Sequence, residues 1–356
     1  MGDDMQETPV PPLPMTANKK RVRMRDVATR CGVSISTVSL VLSGDARIPE
    51  DTARRVLQAV KAMEYRPSVL ARSLARRISR TIGVILPEDA FIHNKAFYYE
   101  ALQGIHAHTQ PAGFKMVVEA ANSVFLARRY YLRLLKEQSA DAMIYLAASL
   151  NDTFLTEMEK EPYPFILVGS YVDNSELIVA RSNDFEGAKI AVQHLVSLGH
   201  KNIAHVSGTQ TVSYGRDREN GFREAMKDAG LEVPPNRVAQ GKFDFAEAEK
   251  VTASLLDAGA TAIFAASDVM AYGVLKALRD MGKRVPEDIS VIGMDDLEVS
   301  GWLNPPLTTV RYDIRAMAES ATRYAIRRIQ SPAPVKPEFD IPPPQLIVRS
   351  SCAPKA

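Results

Sequence analysis

The amino-acid sequence predicts a small all-α helix-turn-helix headpiece followed by an α/β core of two lobes with doubly wound parallel sheets. Two patterns indicate this arrangement. Short helical segments separated by a glycine fill residues 22–66, whereas buried-strand patterns alternate with amphipathic helices from residue 81 onward. The 356 residues also exceed the ~150 that one core needs, so two or three packing units are expected.

The positive charge of the chain is concentrated near its amino terminus. The net charge is only +2, yet residues 19–80 contain 15 basic and five acidic residues, and residues 81–356 carry a net charge of −5. Such an asymmetry indicates contact with nucleic acid or an anionic membrane. No apolar run approaches the ~20 residues of a membrane span, and the acidic, proline-rich start is unlike a signal peptide. We therefore expect a cytoplasmic protein without a membrane partner.

Several classes of protein are disfavoured by the motifs that the sequence lacks. The two cysteines, Cys31 and Cys352, lie at opposite ends, so neither a disulfide framework nor a zinc cluster is predicted. The sequence also lacks GxSxG, HExxH, CxxC, GxxxxGK[ST] and a strand-linked GxGxxG. We expect no cofactor, no metal and no enzymatic activity.

Residues 22–66 are predicted to form three short helices, after a disordered, proline-containing extension at residues 1–21. Gly32 ends the first helix, and Ser34 is a favourable N-cap for a second helix over residues 35–42. A third helix is predicted over residues 49–64, with acidic residues near its start. The predicted apolar stripe of this third helix contains Val56, Leu57, Val60 and Met63.

The second helix has the composition of a helix that enters the DNA major groove. It begins with small polar residues, namely Ser34, Ser36, Thr37 and Ser39. Side chains of this size let a helix enter a groove ~12 Å wide and reach base edges and phosphates. A helical hairpin with another role stays open on this pattern alone, because helix-glycine-helix segments are common. The surrounding positive charge favours DNA.

Residues 67–80 are predicted to form a hinge helix and linker. The segment has leucines on one face and arginines beside them, but it is too short to be a stable isolated helix, which indicates ordering against a partner. Leu74 among arginines suits an apolar wedge in a minor groove, with Arg72 and Arg76 near the phosphates. A flexible solvated linker is the alternative.

These segments together resemble a known family. RDVATRCGVSISTVSLVLSG, then PEDTARRVLQAVKAMEYRPSVLARSLARR and TIGVILP, are similar to the LacI/GalR family of bacterial transcriptional regulators, over residues 22–352. The resemblance implies a helix-turn-helix, a hinge helix and a two-lobed core like that of periplasmic sugar-binding proteins. It also implies a homodimer on a pseudo-palindromic operator in double-stranded DNA. A small effector, a sugar or derivative, would bind in the interlobe cleft and tune DNA affinity.

The resemblance assigns the DNA-contacting positions residue by residue. Ile35, Ser36 and Leu40 would read bases, while Ser34, Thr37 and Ser39 would support them or touch phosphate. Ile35 and Leu40 depart from the family toward apolar contact, for which a thymine methyl is one partner. Arg23 stands where the family has a capping Thr, and it would hold a phosphate instead. The hinge positions are Arg72, Leu74 and Arg76.

The resemblance also assigns the effector pocket. Its members are Phe97, Tyr98, Arg218, Phe243, Ser267, Asp268 and Asp295. The Arg218 fork suits neighbouring hydroxyls or a carboxylate. Simpler roles stay open: Asp268 as a helix cap, Asp295 as a partner of Arg218, and the aromatic residues as ordinary core. Asn183 and Asp184 stand in reverse order to the family's Asp-Asn pair.

The resulting domain organisation places a two-lobed core at residues 81–352. Lobe 1 is predicted at about 81–181 and 313–331, and lobe 2 at about 182–312 and 332–352. The predicted function is a sequence-specific regulator, in most cases a repressor, whose operator affinity depends on the effector. The alternatives are the same DNA role with a purine or protein co-regulator, or a sugar-binding protein without specific DNA recognition. The carboxyl end has no heptad repeat, so a dimer is expected.

Overall fold

The computed structural model describes residues 22–42, 45, 47–65, 78–88, 95–331 and 333–355. The chain divides into two compact units, Met1–Arg77 and Ile78–Ala356. The predicted extension at residues 1–21 and most of the predicted hinge lie outside the described residues.

The first unit contains three described helices, α1 (Met24–Cys31), α2 (Ile35–Leu42) and α3 (Glu50–Ala62). Gly32 follows α1 with φ +63°, a conformation that glycine adopts without steric cost, and this residue turns the chain into α2. The predicted span of α2 is confirmed. The predicted third helix is two residues too long at its end and one at its start, because Pro49 has extended backbone angles and serves as the N-cap.

The headpiece packs around a small apolar core. Val27, Val38 and Val56 are fully buried, one from each helix, and Tyr65 covers them after α3. Burying a valine contributes about 1.5–3 kcal/mol, so three of them are a substantial part of the stability of so small a unit. The placement of Leu57 on the buried stripe was wrong: its side chain is 52% exposed, because Val56 and Ala59 define the face toward the other helices.

The second unit contains two sheets, and the strands of each sheet come from a separate stretch of the chain. The first sheet has the order β2-β1-β3-β4-β5 and is parallel throughout. Its strands are β1 (Thr81–Pro87), β2 (Lys115–Ala121), β3 (Ala142–Leu146), β4 (Phe165–Val168) and β5 (Ile178–Ala180). Strands β1, β3 and β4 are almost completely buried, which explains their unbroken apolar sequences.

The second sheet has the order β11-β10-β9-β8-β6-β7. Its strands are β6 (Ile203–Ser207), β7 (Val238–Gln240), β8 (Ala262–Ala265), β9 (Ser290–Asp295), β10 (Thr308–Arg311) and β11 (Gln345–Ile347). All pairs are parallel except β10 with β11, which are antiparallel. The predicted parallel sheets are therefore confirmed, with one antiparallel edge strand added.

Helices cover both sheets. They are α4 (Lys95–Thr109), α5 (Ser123–Ala127), α6 (Tyr130–Lys136), α7 (Leu155–Met158), α8 (Asp184–Ser197), α9 (Ser213–Asp228), α10 (Phe245–Asp257), α11 (Asp268–Asp280) and α12 (Ile314–Gln330). Helix α12 follows β10 of the second sheet but packs on α4 and β4 of the first, so the chain passes between the sheets more than once. None of the helices in the described part of the chain is long and apolar enough to cross a membrane.

Candidate DNA interface and effector site

Helix α2 presents an exposed face of mixed polar and apolar side chains. Val38 and Val41 are buried and anchor the opposite face in the headpiece core. The predicted reading residues lie on the outer side: Ser34, Ile35, Ser36 and Ser39 are exposed, and Thr37 and Leu40 are partly buried. The side chain of Ile35 is 49% exposed. The helix therefore offers hydroxyls and two apolar side chains without a charge of its own.

The start of each helix in this motif is stabilised by a polar contact. The Thr37 backbone N–H donates to Ser34 Oγ at 3.0 Å, so Ser34 caps α2 as predicted. At α1 the backbone N–H of Arg23 donates to Asp26 Oδ2 at 2.8 Å, which supplies part of the cap that a Thr would give. The Arg23 side chain is exposed. The predicted hinge residues Arg72, Leu74 and Arg76 lie outside the described residues.

In the core, Arg218 is the centre of a buried charge cluster. Its side chain is almost fully buried, on the inner face of α9. The guanidinium Nε donates to Asp184 Oδ1 at 2.8 Å and Nη1 donates to Asp295 Oδ1 at 3.2 Å and to the Ala266 carbonyl. These partners come from the start of α8, the end of β9 and the segment after β8. The cluster thus joins the carboxyl ends of β8 and β9 in the second sheet to the start of α8.

Aromatic rings surround the same guanidinium. The Arg218 Cζ atom lies 4.9 Å from the ring centroid of Tyr312, 5.6 Å from that of Tyr214 and 5.7 Å from that of Phe243. These distances fall within the range of cation–π attraction. The positive charge is therefore held by rings on several sides as well as by carboxylates.

The carboxylates of this cluster are strongly affected by burial. Burial raises the pKa of Asp295 to about 7, although Arg218 opposes the shift, and neighbouring Asp268 raises this pKa further. Burial likewise raises the pKa of Asp184, again against the attraction of Arg218. The cluster holds one cation and several buried acids, so the ionised form of each acid costs free energy. Asp295 also has φ +134°, an unusual backbone for a non-glycine residue.

Ser267 and Asp268 lie beside the cluster but are engaged within the protein. Ser267 Oγ accepts the Met270 N–H at 3.2 Å and caps α11, so Ser267 holds the capping role considered for Asp268. Asp268 accepts the Leu297 N–H at 2.9 Å and the hydroxyls of Ser300 and Thr309. It therefore ties the loop after β9 to β10.

Two predicted aromatic residues lie against glycines at strand ends. A Cβ atom on Gly169, after β4, would come 2.7 Å from Phe97 Cζ, and one on Gly208, after β6, would come 2.0 Å from Phe243 Cζ. Glycine is therefore required at both places for the ring to approach the backbone. Tyr98 is also buried and meets Phe97 edge to face at 5.3 Å between centroids. All three rings are core residues, each at the border of its lobe's sheet.

A polar network connects the loops of the first sheet to the start of α9. Ser170 Oγ lies 3.0 Å from Ser213 Oγ, and the Tyr171 hydroxyl donates to Asp217 Oδ1 at 2.9 Å. Arg216 reaches Asp173 with both terminal nitrogens, at 2.6 and 2.8 Å. Such a paired contact is directional and strong for a partly exposed ion pair. Rotation of one sheet relative to the other would break these contacts.

The sequence prediction missed three members of the cluster: Asp184 as a partner of Arg218, and the rings of Tyr214 and Tyr312. Tyr214 precedes Arg218 by four residues in α9, which begins at Ser213, so the two side chains share one face of the helix. Asp184 and Tyr312 reach the site from distant chain segments, for which the sequence carries no local signal. Among the residues described, no group of three or more His, Cys, Asp or Glu is arranged to hold a metal ion.

Comparison with known proteins identifies the family. Residues 23–68 match the model of bacterial regulatory proteins of the lacI family, and residues 192–352 match the periplasmic binding protein-like domain. The chain is 31% identical to the HTH-type transcriptional repressor PurR of Aliivibrio fischeri strain MJ11, over 92% of this chain and 97% of that protein. It is 34% identical to the ribose operon repressor of Halalkalibacterium halodurans, over 92% and 96%.

Solved structures agree with these sequence matches. The lac repressor dimer bound to operator and the anti-inducer ONPF is 27% identical, with a TM-score of 0.80 and coverage of 94% of this chain and 100% of that one. The transcriptional regulator CelR in complex with cellobiose is 29% identical, with a TM-score of 0.68 and coverage of 93% and 100%. With a helix-turn-helix, a two-sheet core and relatives of this identity along almost its whole length, the chain belongs to the LacI family of bacterial transcriptional regulators.

Proposed function

We propose that this regulator represses transcription by reading an operator with α2 and by sensing a small effector beside Arg218. The observation that carries the proposal is the exposed face of α2, on which the side chain of Ile35 is 49% exposed. An isoleucine exposed between two serines at the start of this helix is suited to an apolar contact in the major groove. Ser36 and Leu40 complete the base-reading set.

The other DNA contacts of the proposal concern the phosphate backbone and the minor groove. The exposed Arg23, together with Ser34, Thr37 and Ser39, is assigned to positioning on phosphates. Leu74 is assigned as a minor-groove wedge, with Arg72 and Arg76 on the flanking phosphates. The wedge requires two hinges at one operator centre, and therefore a homodimer on a pseudo-palindromic site.

Two surface regions of the core with exposed apolar side chains support a dimer. Trp302 is 71% exposed, and the next residue, Leu303, lines a groove of about 640 Å³ whose walls carry both apolar residues and charged ones such as Lys276 and Arg284. The edge strand β2 exposes Val117 and Val118 by about 40%. Patches of this kind on the surface of a soluble unit are typical of protein–protein contact.

The effector is proposed to be a sugar or related hydroxylated metabolite. Its contacts are assigned to Phe97, Tyr98 and Phe243 as stacking surfaces, and to Arg218 and Asp295 as polar partners. Ser267 and Asp268 would act as supports, since their oxygens already accept hydrogen bonds within the protein. A ribose operon repressor and a regulator solved with cellobiose among the similar proteins support the sugar class, and the relatives named PurR keep a purine as the alternative.

Effector binding is proposed to change the angle between the two lobes, of which lobe 1 consists of residues 81–181 and 313–331 and lobe 2 of residues 182–312 and 332–352. The contacts of Ser170 with Ser213 and of Arg216 with Asp173 would break or form as the angle changes. The dimer would transmit the change to the hinges, either as induction or as co-repression. Such a regulator is no enzyme and acts in the cytoplasm, where its operator is.

The experiment selects binding sequences from random double-stranded DNA with the purified full-length protein and then compares Leu74→Ala with the unmodified chain in gel-shift titrations. Leu74→Ala is expected to weaken specific binding far more than non-specific binding, with a steep salt dependence retained. An equal loss for both would contradict the wedge. An absence of any selected sequence would favour a sugar-binding protein without specific recognition.

Effector binding is tested separately by thermal unfolding with sugars, polyols and purines. A ligand at ~100 times its dissociation constant adds ~2.7 kcal/mol to the free energy of unfolding. Loss of this stabilisation in Phe243→Ala, with operator affinity unchanged in the absence of ligand, is the expected result. A ligand whose effect is insensitive to Phe243 and Phe97 would contradict the assigned pocket.

A further inference from the structure

Two of the three guanidinium nitrogens of Arg218 are bonded to partners from its own chain. Its Nε contacts Asp184 at 2.8 Å, and its Nη1 contacts Asp295 at 3.2 Å and the Ala266 carbonyl. Both carboxylates are themselves almost fully buried, at 4% and 7% exposure. These hydrogen bonds occupy Nε and Nη1 and leave only the Nη2 donors of the fork for a further acceptor.

The charge balance around Arg218 is unfavourable to a further anion. One guanidinium faces Asp184 and Asp295, and Asp268 lies close enough to Asp295 to disfavour its ionised form. No second buried Lys or Arg is present among the described residues. A bound carboxylate or phosphate ester would therefore share this one cation with two buried acids, and a buried charge without a partner of its own costs several kcal/mol.

Asp184 accepts the hydrogen bond of Arg218 Nε and so occupies that side of the fork. It is the first residue of α8, whereas the capping role there belongs to Asn183, whose Oδ1 accepts the Glu186 N–H at 3.1 Å. Asp184 is therefore not needed as a cap, and its carboxylate is directed at Arg218. The rings of Tyr312, Tyr214 and Phe243 occupy further sides of the guanidinium.

We propose that Asp184 is a specificity-determining residue that closes Arg218 to anions, so that the effector is an uncharged or positively charged hydroxylated compound and not a carboxylate or phosphate ester. The inference rests on the proposed function, in that the effector binds beside Arg218. Of the two ligand groups that suit the Arg218 fork, hydroxyls and a carboxylate, the proposal selects the hydroxyls. Hydroxyls can share the acceptor oxygens of Asp184 and Asp295 as donors, which an anion cannot do.

The test uses inorganic phosphate and gluconate as anionic probes of the full-length protein. Thermal unfolding is followed with each probe against chloride at equal ionic strength, for the unmodified chain, for Asp184→Asn and for the double variant Asp184→Asn/Asp295→Asn. The amides keep the shape and an acceptor oxygen but remove the charges that balance Arg218. Asp228→Asn on α9, whose carboxylate pairs with Lys189 near the surface, is the matched control.

The unmodified chain and the control are expected to show no saturable shift beyond that of chloride. The double variant should bind phosphate at least about tenfold more tightly, with Asp184→Asn intermediate. Saturable stabilisation of the unmodified chain by either probe would overturn the proposal, as would an unchanged response in the amide variants. If the double variant does not fold, Asp184→Asn decides in the same way. This experiment contains no DNA. Its result therefore does not depend on whether the protein binds an operator, which the gel-shift titrations measure separately.

Discussion

Helix α2 and the Arg218 cluster arrange their candidate contact residues in opposite ways. Helix α2 carries its candidate contact residues on an exposed face, uncharged, with the core valines behind them. The region around Arg218 has its charges buried and bonded to one another, within the apolar core of the larger unit. Substitutions on α2 should therefore change binding with little effect on stability, whereas those at Arg218 should change stability first.

Removal of the buried cation should change the stability of the core most. Arg218→Met leaves Asp184 and Asp295 without their positive partner, and we expect a loss of about 3–5 kcal/mol in the free energy of unfolding. Urea unfolding of the full chain measures it. Arg223→Met, which removes a surface pair with Glu219 on the same helix, should cost less than about 1 kcal/mol. Similar losses for both variants would mean that the cluster contributes no more than a surface pair.

The second prediction concerns pH and Asp295. The unfolded carboxyl releases its proton near its ordinary pKa of 3.8, while the native one keeps it to about pH 7. The native state binds more protons in this window, so the contribution of Asp295 to stability falls as pH rises from about 4 to 7 and is constant above. The total is up to ~4 kcal/mol.

Asp295→Asn removes this titration. Relative to the unmodified chain, its free energy of unfolding should therefore rise as pH increases from about 4 to 7, by up to ~4 kcal/mol. Urea titrations at four pH values test this, with Asp228→Asn as the control that should run parallel to the unmodified chain. A constant difference between Asp295→Asn and the unmodified chain would show that Asp295 does not titrate near neutrality.

The third prediction concerns the exposed face of α2. Ile35→Ala and Leu40→Ala should each weaken specific operator binding by about 1–3 kcal/mol, which is the usual value of one base contact. The unfolding free energy should change little for Ile35→Ala, whose side chain is 49% exposed. Gel shifts on the selected operator and on unrelated DNA measure the effect. Val124 is also exposed, at 57%, but lies in the larger unit, and Val124→Ala should leave both affinities unchanged.

The difference between the two regions also explains what could be predicted from the sequence. The start of α2 follows from local signals, Gly32 and the Ser34 cap, and the span of the helix was predicted correctly. The strand and helix alternation of the core follows from periodicity. The predicted apolar stripe of α3 was wrong at Leu57, because the other two helices determine which face of α3 is buried.

The charge cluster around Arg218 depends on contacts between distant segments of the chain. Arg218 and Asp184 are 34 residues apart, and Arg218 and Asp295 are 77 apart. Neither spacing predicts a contact without the sheet order that brings the strand ends together. The short strands β5, β7 and β11 were missed for a related reason: each has three residues and is defined by its neighbour.

The smallest expected effect concerns the cap that positions α2. Ser34 Oγ accepts the Thr37 N–H, and Ser34→Ala should cost about 1 kcal/mol of headpiece stability, whereas Ser34→Gly should cost only a few tenths. Amide hydrogen exchange of residues 35–42 in the full chain reports this locally. Ser36→Ala, an exposed position within the helix, should not accelerate exchange, since alanine favours the helix. If Ser34→Ala leaves exchange unchanged while weakening operator binding, Ser34 acts on phosphate alone, and the reading helix needs no cap from its own chain.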